Sequence, residues 1–404
     1  MKILLVHNSY QLVGGEDAVV GRERTLLQEM GHQVILYSRG NDELKGQGIA
    51  GSIKAGVEGV WSSRSHREVE QVLKSEAPDV AHFHNTFPLI SPAAYYACAE
   101  AGVPVVQTLH NYRLLCPGAT FLRDGRVCED CLGRSVLWPG VLHACYRDSR
   151  AATAAVATML TAHRAFGTWR KKVDVYVALT EFARRKFVEG GLPAERLVVK
   201  PNFMERDPGE KTGTGKWALY VGRLSEEKGV QHLLKAWARL RVGVSLKIAG
   251  DGPLREMLSG EIAEKRLVGV ELLGQVSSEG VVSLLRGARF LVLPSICYEN
   301  FPLTIAEAFA CGVPVITSRL GSMAEIVEDG KTGLHSSAGD ELDLAAKVEW
   351  AWTHPEEMEE MGRAARREFE EKYTSAANYR KLMEIYEMAI GGPVAETSQL
   401  EAVR

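Results

Sequence analysis

Residues 217–240 read WALYVGRLSEEKGVQHLLKAWARL, an apolar run followed by a glycine-bounded turn and an amphipathic stretch. The run Trp217–Val221 predicts a β-strand, and the apolar spacing over Val230–Leu240 predicts a helix. The same order of strand and helix returns along the whole chain. Because near-continuous Val, Ile and Leu runs are typical of strands buried on both faces of a parallel sheet, the sequence predicts a doubly wound α/β architecture.

The alternation occurs in both halves of the chain, on either side of the polar, glycine-containing stretch 205–216. The predicted strands are Ile3–His7, Gln33–Ser38, Val80–His84, Val103–Leu109, Val173–Leu179, Leu197–Lys200, Trp217–Val221, Ser245–Ala249, Val270–Leu273, Phe290–Pro294 and Pro314–Ser318. The predicted helices are Val19–Met30, Arg67–Glu76, Pro92–Ala101, Glu181–Glu189, Val230–Leu240, Leu254–Lys265, Ser278–Arg286, Thr304–Ala310 and a helical region over 355–390. The sequence thus predicts two Rossmann-like domains, 1–204 and 217–378, joined by a linker at 205–216.

Composition favours a globular enzyme. The 404 residues are 46% apolar and 25% charged, with a net charge of −3, which gives no polycationic sign of nucleic-acid binding. The chain has no run of 18 apolar residues, and its start resembles a first strand rather than a signal peptide, so a cytoplasmic location is expected. Residues 113–200 carry 15 basic and 8 acidic side chains. This excess marks either a face for an anionic substrate or membrane, or scattered solvated charges.

Two strand ends carry the residues best suited to a nucleotide site. Arg223 and Lys228 follow the strand Trp217–Val221, where ligands bind in open α/β sheets, and two cations at this spacing suit a diphosphate. Glu299 and Glu307 follow the strand Phe290–Pro294, and a carboxylate can accept two hydrogen bonds from a vicinal diol such as ribose. Each pattern alone also fits a surface turn or a helix start with an acidic residue.

In order and spacing, five segments resemble the nucleotide-sugar half of the retaining glycosyltransferases of family 4 (group 1), which have the GT-B fold. They are 222–229 (GRLSEEKG), 250–252 (GDG), Glu299 with Glu307, 310–315 (ACGVPV) and 329–334 (DGKTGL). In the first half, 13–17 (VGGED), 108–111 (TLHN), 179–182 (LTEF) and 201–203 (PNF) also match, so the resemblance covers residues 1–390. It departs at Asn300, where many relatives carry Gly, and at Gly321-Ser322, where a Gly pair is common.

The resemblance implies an N-terminal acceptor-binding domain, a C-terminal nucleotide-sugar-binding domain, and a helix over 379–390 that crosses back to the first domain before a tail at 391–404. It implies a hexosyltransferase that moves a sugar from a UDP-, GDP- or ADP-sugar to a glycan or lipid-linked glycan with retention, in cell-surface polysaccharide or glycoconjugate synthesis. The catalytic residues it implies are His110, Glu299, Arg223 and Lys228. The donor-binding residues it implies are Gly14, Gly15, Glu16, Arg223, Lys228, Glu299, Asn300, Phe301, Pro302, Leu303 and Glu307.

Arg223 and Lys228 would stabilise the negative charge on the departing diphosphate. Since the chain also lacks a D-x-D motif, we expect metal-independent catalysis without a cofactor. The basic region predicts peripheral contact with the inner membrane face. Two alternatives stay open, a nucleotide-sugar epimerase of the same fold and a non-catalytic nucleotide-sugar-binding scaffold; acceptor-dependent turnover separates the enzyme proposed here from both.

A cysteine-rich insert over 113–147 contains Cys116, Cys128, Cys131 and Cys145. Their spacing is compatible with a structural zinc site, and free thiols or two labile disulfides are the alternatives. His82 and His84 alternate on one predicted strand and therefore share a face. With no third ligand apparent nearby, they are expected to form part of the cleft wall.

Overall fold

The computed structural model describes residues 1–9, 14–44, 51 and 56–391. Two six-stranded parallel sheets organise it, one in each half of the chain. The first sheet has the order β2-β1-β3-β4-β7-β8, with strands β1 (Lys2–Ser9), β2 (Gln33–Gly40), β3 (Val80–Asn85), β4 (Val105–Thr108), β7 (Val175–Ala178) and β8 (Leu197–Val199). A small antiparallel hairpin, β5 (Leu122–Arg123) with β6 (Arg126–Val127), lies in the cysteine-rich insert.

The second sheet has the order β11-β10-β9-β12-β13-β14, with strands β9 (Trp217–Val221), β10 (Leu246–Ala249), β11 (Val270–Gly274), β12 (Ala288–Leu293), β13 (Val315–Ser318) and β14 (Gly333–Ser336). Relative to chain order this is the 3-2-1-4-5-6 arrangement of dinucleotide-binding folds, and its strand order reverses between β9 and β12. The first sheet reverses between β1 and β3. Ligands of open α/β sheets bind at such reversal points, outside the carboxyl ends of the strands.

Helices cover both faces of each sheet. Those of the first half are Gly15–Glu29, Ser63–Glu76, Ala93–Ala101, Trp138–Leu142, Arg150–Ala165, Thr168–Lys171 and Glu181–Glu189. Those of the second half are Val230–Trp237, Arg255–Glu264, Ser278–Arg286, Leu303–Ala310, Gly321–Ile326, Glu341–Thr353, Pro355–Lys372 and Ser375–Ile390. Among the described residues, none of these helices is both long and apolar enough to cross a bilayer.

Most predicted strands and helices are present within a few residues of their predicted bounds. The helical region predicted over 355–390 is instead two helices, because Tyr373 ends the first and the Thr374 side chain caps the second by accepting a hydrogen bond from the Ala377 amide. The strand Gly333–Ser336, the hairpin of β5 and β6, the helices between 138 and 171, and the helices Gly321–Ile326 and Glu341–Thr353 were not predicted. Of the predicted tail, residues 392–404 lie outside the described residues.

The last helix, Ser375–Ile390, crosses back to the first sheet. Its side chains Leu382, Ile385, Tyr386 and Ala389 are buried against a layer that includes Ile3 and Leu5. Leu4 and Val6, which alternate with them on β1, face the opposite layer. The first sheet is therefore closed on one face by a helix from the far end of the chain, which ties the two halves together.

Candidate active site

A cleft of about 1270 Å³ lies between the carboxyl ends of the two sheets. Eleven of the predicted site residues line it, namely Gly14, Gly15, Glu16, His110, Arg223, Lys228, Glu299, Asn300, Phe301, Pro302 and Leu303. They come from the loops after β1, β4, β9 and β12, which are the strands at or next to the reversal points of the two sheets. The fold thus brings together residues that lie as far apart in sequence as 14 and 303.

The second half contributes an ion pair at the centre of the cleft. Lys228 Nζ lies 2.6 and 2.9 Å from the two carboxylate oxygens of Glu299. The Ser295 hydroxyl donates a further hydrogen bond of 2.8 Å to Glu299 Oε1. Burial opposes the charge on Lys228, but the adjacent carboxylate outweighs it and raises the pKa of Lys228. Lys228 is therefore held charged and is positioned by an acidic side chain from the neighbouring strand end.

Arg223 is exposed at the cleft, and within the described part of the chain its side chain has no hydrogen bond or ion pair. The two loops that carry Arg223 and Glu299 are packed tightly at Gly229, whose φ is +67°. A Cβ atom there would lie 1.9 Å from the carbonyl oxygen of Pro294, so only glycine fits. This close approach fixes the spacing between the cationic loop and the acidic loop.

The loop after β12 also contacts the first half of the chain. Asn300 Nδ2 donates a hydrogen bond to the carbonyl oxygen of Leu109, and the Tyr112 hydroxyl donates one of 3.4 Å to the carbonyl oxygen of Glu299. The helix Leu303–Ala310 begins at the cleft without a side-chain cap, so its first amide groups are available to an anion. Asn300 therefore helps to set the separation of the two domains at the site.

Glu307 lies elsewhere. It is not among the residues lining the cleft, and its Oε1 lies 3.3 Å from Nη2 of Arg22, on the helix Gly15–Glu29 of the first half. The Arg22 guanidinium also donates to the carbonyl oxygen of Phe203. Sequence reasoning missed Arg22, because nothing local distinguishes it from any other helical arginine. A ribose would have to compete with this ion pair for Glu307.

Sequence reasoning also missed Asn202, Tyr220 and Gln275, which line the cleft. Gln275 comes directly after β11, so the strand-end rule would have found it. The backbone of 250–252 lines the cleft as well, and a Cβ at Gly250 would lie 1.9 Å from the carbonyl oxygen of Gly222. The glycine of that motif is therefore required by the close approach of two backbone segments.

A buried polar network lies next to His110. His110 Nε2 lies 2.9 Å from His84 Nδ1, and His84 Nε2 lies 3.4 Å from Glu23 Oε1. The same carboxylate lies 3.0 Å from His82 Nδ1 and 3.1 Å from Lys200 Nζ. Burial alone would raise the pKa of Glu23, but Lys200 and His82 outweigh it and hold that pKa well below its usual range.

This network corrects one expectation from the sequence. His82 and His84 do share a face, with ring centroids 4.3 Å apart, but both are buried beneath the cleft rather than in its wall. A third group, Glu23, lies beside the two histidines, and the sequence did not reveal it. Among the described residues, these three are the one set of His, Cys, Asp or Glu donors in which all donor atoms lie within 4.8 Å of one another. Because Lys200 already binds the carboxylate, we interpret the set as a hydrogen-bond network.

The network is expected to make the stability of the protein sensitive to acid. Burial lowers the pKa of His84 to about 3 and places that of His110 well below 6.5. An unfolded histidine takes up a proton below about pH 6.5, whereas these two do not, so stability falls as pH drops from there towards 3. Each of these two histidines lowers the free energy of unfolding by about 1.4 kcal/mol for every pH unit of this fall. Glu23 acts in the same direction below about pH 4.3.

We therefore expect urea unfolding midpoints to fall from pH 7 to pH 5, and His84→Gln to reduce that slope. His354→Gln, at a helix junction far from the network along the chain, is the control and should leave the slope unchanged. Equal slopes in wild type and His84→Gln would contradict the assignment of His84 as a buried neutral histidine.

The four cysteines of the insert are free thiols and lie near one another. Burial and then the neighbouring thiols raise the pKa of Cys131 to about 11 and also raise that of Cys145. No three of their sulfur atoms all lie within 4.8 Å of one another, in contrast to the donor atoms of Glu23, His82 and His84. Four sulfurs around one zinc ion would be closer than this, at about 3.8 Å, since Zn–S bonds are about 2.3 Å long. The thiols are thus neighbours without forming a closed metal site.

Both halves of the chain match families of glycosyltransferases. Residues 13–207 match the family model described as Glycosyltransferase Family 4, and residues 203–368 match the model described as Glycosyl transferases group 1. Glycogen synthase of Mycobacterium tuberculosis is 31% identical over 303 residues, which cover 72% of this chain and 64% of the relative. The chain thus spans somewhat less than two thirds of that enzyme. Alpha-D-kanosaminyltransferase of Streptomyces kanamyceticus is 26% identical over 353 residues, 84% of each chain.

Solved structures agree over nearly the full length of the chain. Sucrose-phosphate synthase from Thermosynechococcus elongatus superimposes with a TM-score of 0.70 at 16% identity, covering 96% of this chain and 99% of the other. Anabaena HepE in complex with UDP-glucose superimposes with a TM-score of 0.66 at 18% identity, covering 95% and 98%. At such identities the likeness establishes the fold, two Rossmann-like domains around a cleft. The chain thus has the GT-B fold, and each of its halves matches a glycosyltransferase family model.

Proposed function

We propose that the protein transfers a sugar from a nucleoside-diphosphate sugar to a glycan or lipid-linked glycan acceptor, with retention at the anomeric carbon. The observation that carries the proposal is the pair of cations, Arg223 and Lys228, at the strand-reversal point of the second sheet, facing His110 of the first half across one cleft. The names of the relatives support the reaction class, since glycogen synthase and kanosaminyltransferase both move sugars. A role in cell-surface polysaccharide or glycoconjugate synthesis, at the inner membrane face, completes the proposal.

Charge separation explains the need for this arrangement. As the bond between the anomeric carbon and the diphosphate oxygen breaks, its electron pair leaves with the diphosphate and the sugar becomes positive. Arg223 and Lys228 stabilise the leaving group, so the side chains supply the positive charge that a metal ion supplies elsewhere. Glu299 holds Lys228 in place and accepts hydrogen bonds from the sugar hydroxyls.

The acceptor oxygen then bonds to the anomeric carbon on the face that the diphosphate leaves. Its proton passes to the departing phosphate oxygen, so that no separate base is required. His110 lies on the first-half side of the cleft as a neutral imidazole, because burial lowers its pKa well below its usual value. A neutral His110 can exchange hydrogen bonds with the sugar without adding charge to the site. Domain closure over the cleft excludes water and suppresses donor hydrolysis.

Calorimetric titration with UDP, GDP and ADP tests the donor site. We expect one of them to bind, and Glu307→Gln to weaken that binding by roughly 30- to 1,000-fold, because a carboxylate that holds two ribose hydroxyls contributes about 2–4 kcal/mol. Glu360→Gln, an exposed glutamate on the helix Pro355–Lys372, is the matched control.

Unchanged affinity in Glu307→Gln would mean that Glu307 serves only the ion pair with Arg22. Binding without any acceptor-dependent turnover would favour the non-catalytic scaffold, and conversion of the donor sugar without acceptor would favour an epimerase.

For the insert we propose a structural zinc ion bound by Cys116, Cys128, Cys131 and Cys145. The support is their free state and their mutual proximity. The sulfurs would have to draw together on binding, which would order the insert. Elemental analysis of the purified protein should give about one zinc per chain, and less than half of that in Cys128→Ser. Fully active protein without zinc would contradict this proposal, and Cys98→Ser, at a buried thiol outside the insert, is the control.

A further inference from the structure

An apolar groove of about 660 Å³ opens on the outer surface of the first half, away from the residues that line the cleft. It lies between the helices Trp138–Leu142 and Arg150–Ala165. Trp138 and Val136 are each 54% exposed there and Leu142 is 51% exposed. Such a concentration of exposed large apolar side chains marks an interaction surface rather than ordinary solvent-exposed surface.

The longer helix has one face in the core and another on the groove. The first, which includes Val156 and Leu160, is buried. The other lines the groove with residues at helical spacing, namely Arg150, Ala154, Ala157, Thr158, Thr161 and Ala162. Phe166, four residues after Ala162 and 66% exposed, continues that row. The apolar part of this surface therefore comes from the three alanines of the helix and from the exposed side chains Val136, Trp138, Leu142 and Phe166.

The stretch of chain that forms the groove is basic, which indicates an anionic partner. Residues 134–172 contain seven Arg and Lys and one acidic residue, in a chain whose net charge is −3. Arg150 lines the groove itself, and the Arg134 guanidinium lies 5.6 Å from the ring centroid of Trp138. Exposed tryptophan flanked by arginine is the combination that suits the interface of an anionic bilayer, where the ring enters the headgroup region and the cations stay at the phosphates.

The cysteine-rich insert connects this groove to the cleft. At one end, its Phe121 ring lies 5.8 Å from the ring of Tyr298, beside Glu299. At the other end, the helix Trp138–Leu142 packs on the thiol cluster, with Cys131 Sγ lying 3.4 Å from where a Cβ of Gly140 would be. The insert would therefore connect a membrane bound at the groove to the loop that carries Glu299, through one continuous segment of chain.

We propose that the groove and its rim, which we term the docking face (Arg134, Val136, Trp138, Leu142, Arg147, Arg150 and Phe166), bind the surface of a bilayer rich in anionic phospholipid. This inference deepens the proposed function on its acceptor side, since an acceptor carried by a lipid would then be presented beside the cleft. It stands on the groove, the exposed aromatic and aliphatic side chains and the local excess of cations.

Vesicle flotation of the full chain tests the proposal. We expect binding to vesicles of phosphatidylcholine with one third phosphatidylglycerol, much weaker binding to phosphatidylcholine alone, and a decrease with added salt because exposed charges are screened. Trp138→Ser with Leu142→Ser should reduce binding about tenfold or more, through lost apolar insertion. Arg134→Gln with Arg147→Gln and Arg150→Gln should remove the preference for anionic lipid.

Matched controls lie in the second half of the chain. Val268→Ser removes an apolar side chain that is 94% exposed, and Arg239→Gln with Lys265→Gln and Lys331→Gln removes three exposed cations. Both controls should bind vesicles as wild type does. Thermal unfolding by circular dichroism identifies any variant that fails to fold, and the arginine variant, which leaves the apolar groove intact, provides an independent test.

Absence of binding to anionic vesicles at low salt, or equal binding by wild type and both docking-face variants, would overturn the proposal. A dimer in gel filtration that Trp138→Ser dissociates, without vesicle binding, would assign the groove to a second copy of the chain instead. Nucleotide titration of the same variants separates this outcome from the proposed function, because the docking face lies outside the cleft and donor affinity should not change.

Discussion

Lys228→Ala is expected to lower kcat by roughly 10²- to 10³-fold, the loss that follows removal of one preorganised group that stabilises charge in a transition state. The structure predicts a larger effect than for Arg223→Ala. Lys228 is paired with Glu299 at 2.6 Å, so its removal also leaves a carboxylate facing the donor diphosphate without a counter-charge. Arg223 is exposed, and its loss removes one cation only.

Steady-state kinetics with the donor found by titration would measure both variants. Lys235→Ala, an exposed lysine two turns further along on the helix Val230–Trp237, is the matched control and should retain wild-type kcat. Lys228→Ala with Glu299→Gln should recover part of the loss in donor affinity, since the unpaired charge is gone. A larger loss in Arg223→Ala than in Lys228→Ala would show that the pairing with Glu299 does not govern the donor site.

Lys200→Met is expected to destabilise the first half of the protein by about 3–5 kcal/mol, because it leaves the Glu23 carboxylate charged and buried. Both side chains are 1% exposed and their charged atoms lie 3.1 Å apart. The double variant Lys200→Met with Glu23→Gln removes both charges and should recover most of the loss. A surface pair offers the contrast, since Lys74 is 72% exposed and Lys74→Met should cost less than about 1 kcal/mol.

Urea unfolding would measure these changes, with the separate transitions compared because two domains need not unfold in one step. The expected order is wild type and Lys74→Met most stable, the double variant next and Lys200→Met least stable. A double variant no more stable than Lys200→Met would mean that the packing of the two side chains, rather than their charges, stabilises this region. His84→Gln, already predicted to reduce the acid sensitivity, probes the same network from the side of His110.

Strand and helix positions followed from local patterns. Runs such as Ile3–Val6 and Phe290–Leu293 are apolar at every position because both faces of their sheets are covered, and this is visible without knowing what covers them. The helix Arg150–Ala165 was missed although Ser149 caps it, since its alanine-rich sequence has no single apolar stripe. Its opposite faces lie on the core and on the groove, so small and apolar residues are spread around the helix.

Most of the cleft also followed from the sequence. Residues placed just after buried strands, such as Arg223 and Glu299, meet at one edge because the carboxyl ends of parallel strands lie together. Glu307 shows the limit of this reasoning, since it lies within a helix and its direction depends on Arg22, 285 residues away.

The sequence by itself determined the two α/β halves, the strand ends that form the cleft and the resemblance to glycosyltransferases, because periodicity and strand-end motifs are local properties of the chain. Only the tertiary structure decided which distant groups pair. Lys200 lies more than a hundred residues from both Glu23 and His84 in the sequence, yet the three side chains form one buried network. Lys228 likewise meets Glu299 across two strand ends. Such pairs leave no local pattern, since a charge becomes buried or compensated only when the fold brings its partner within about 3 Å.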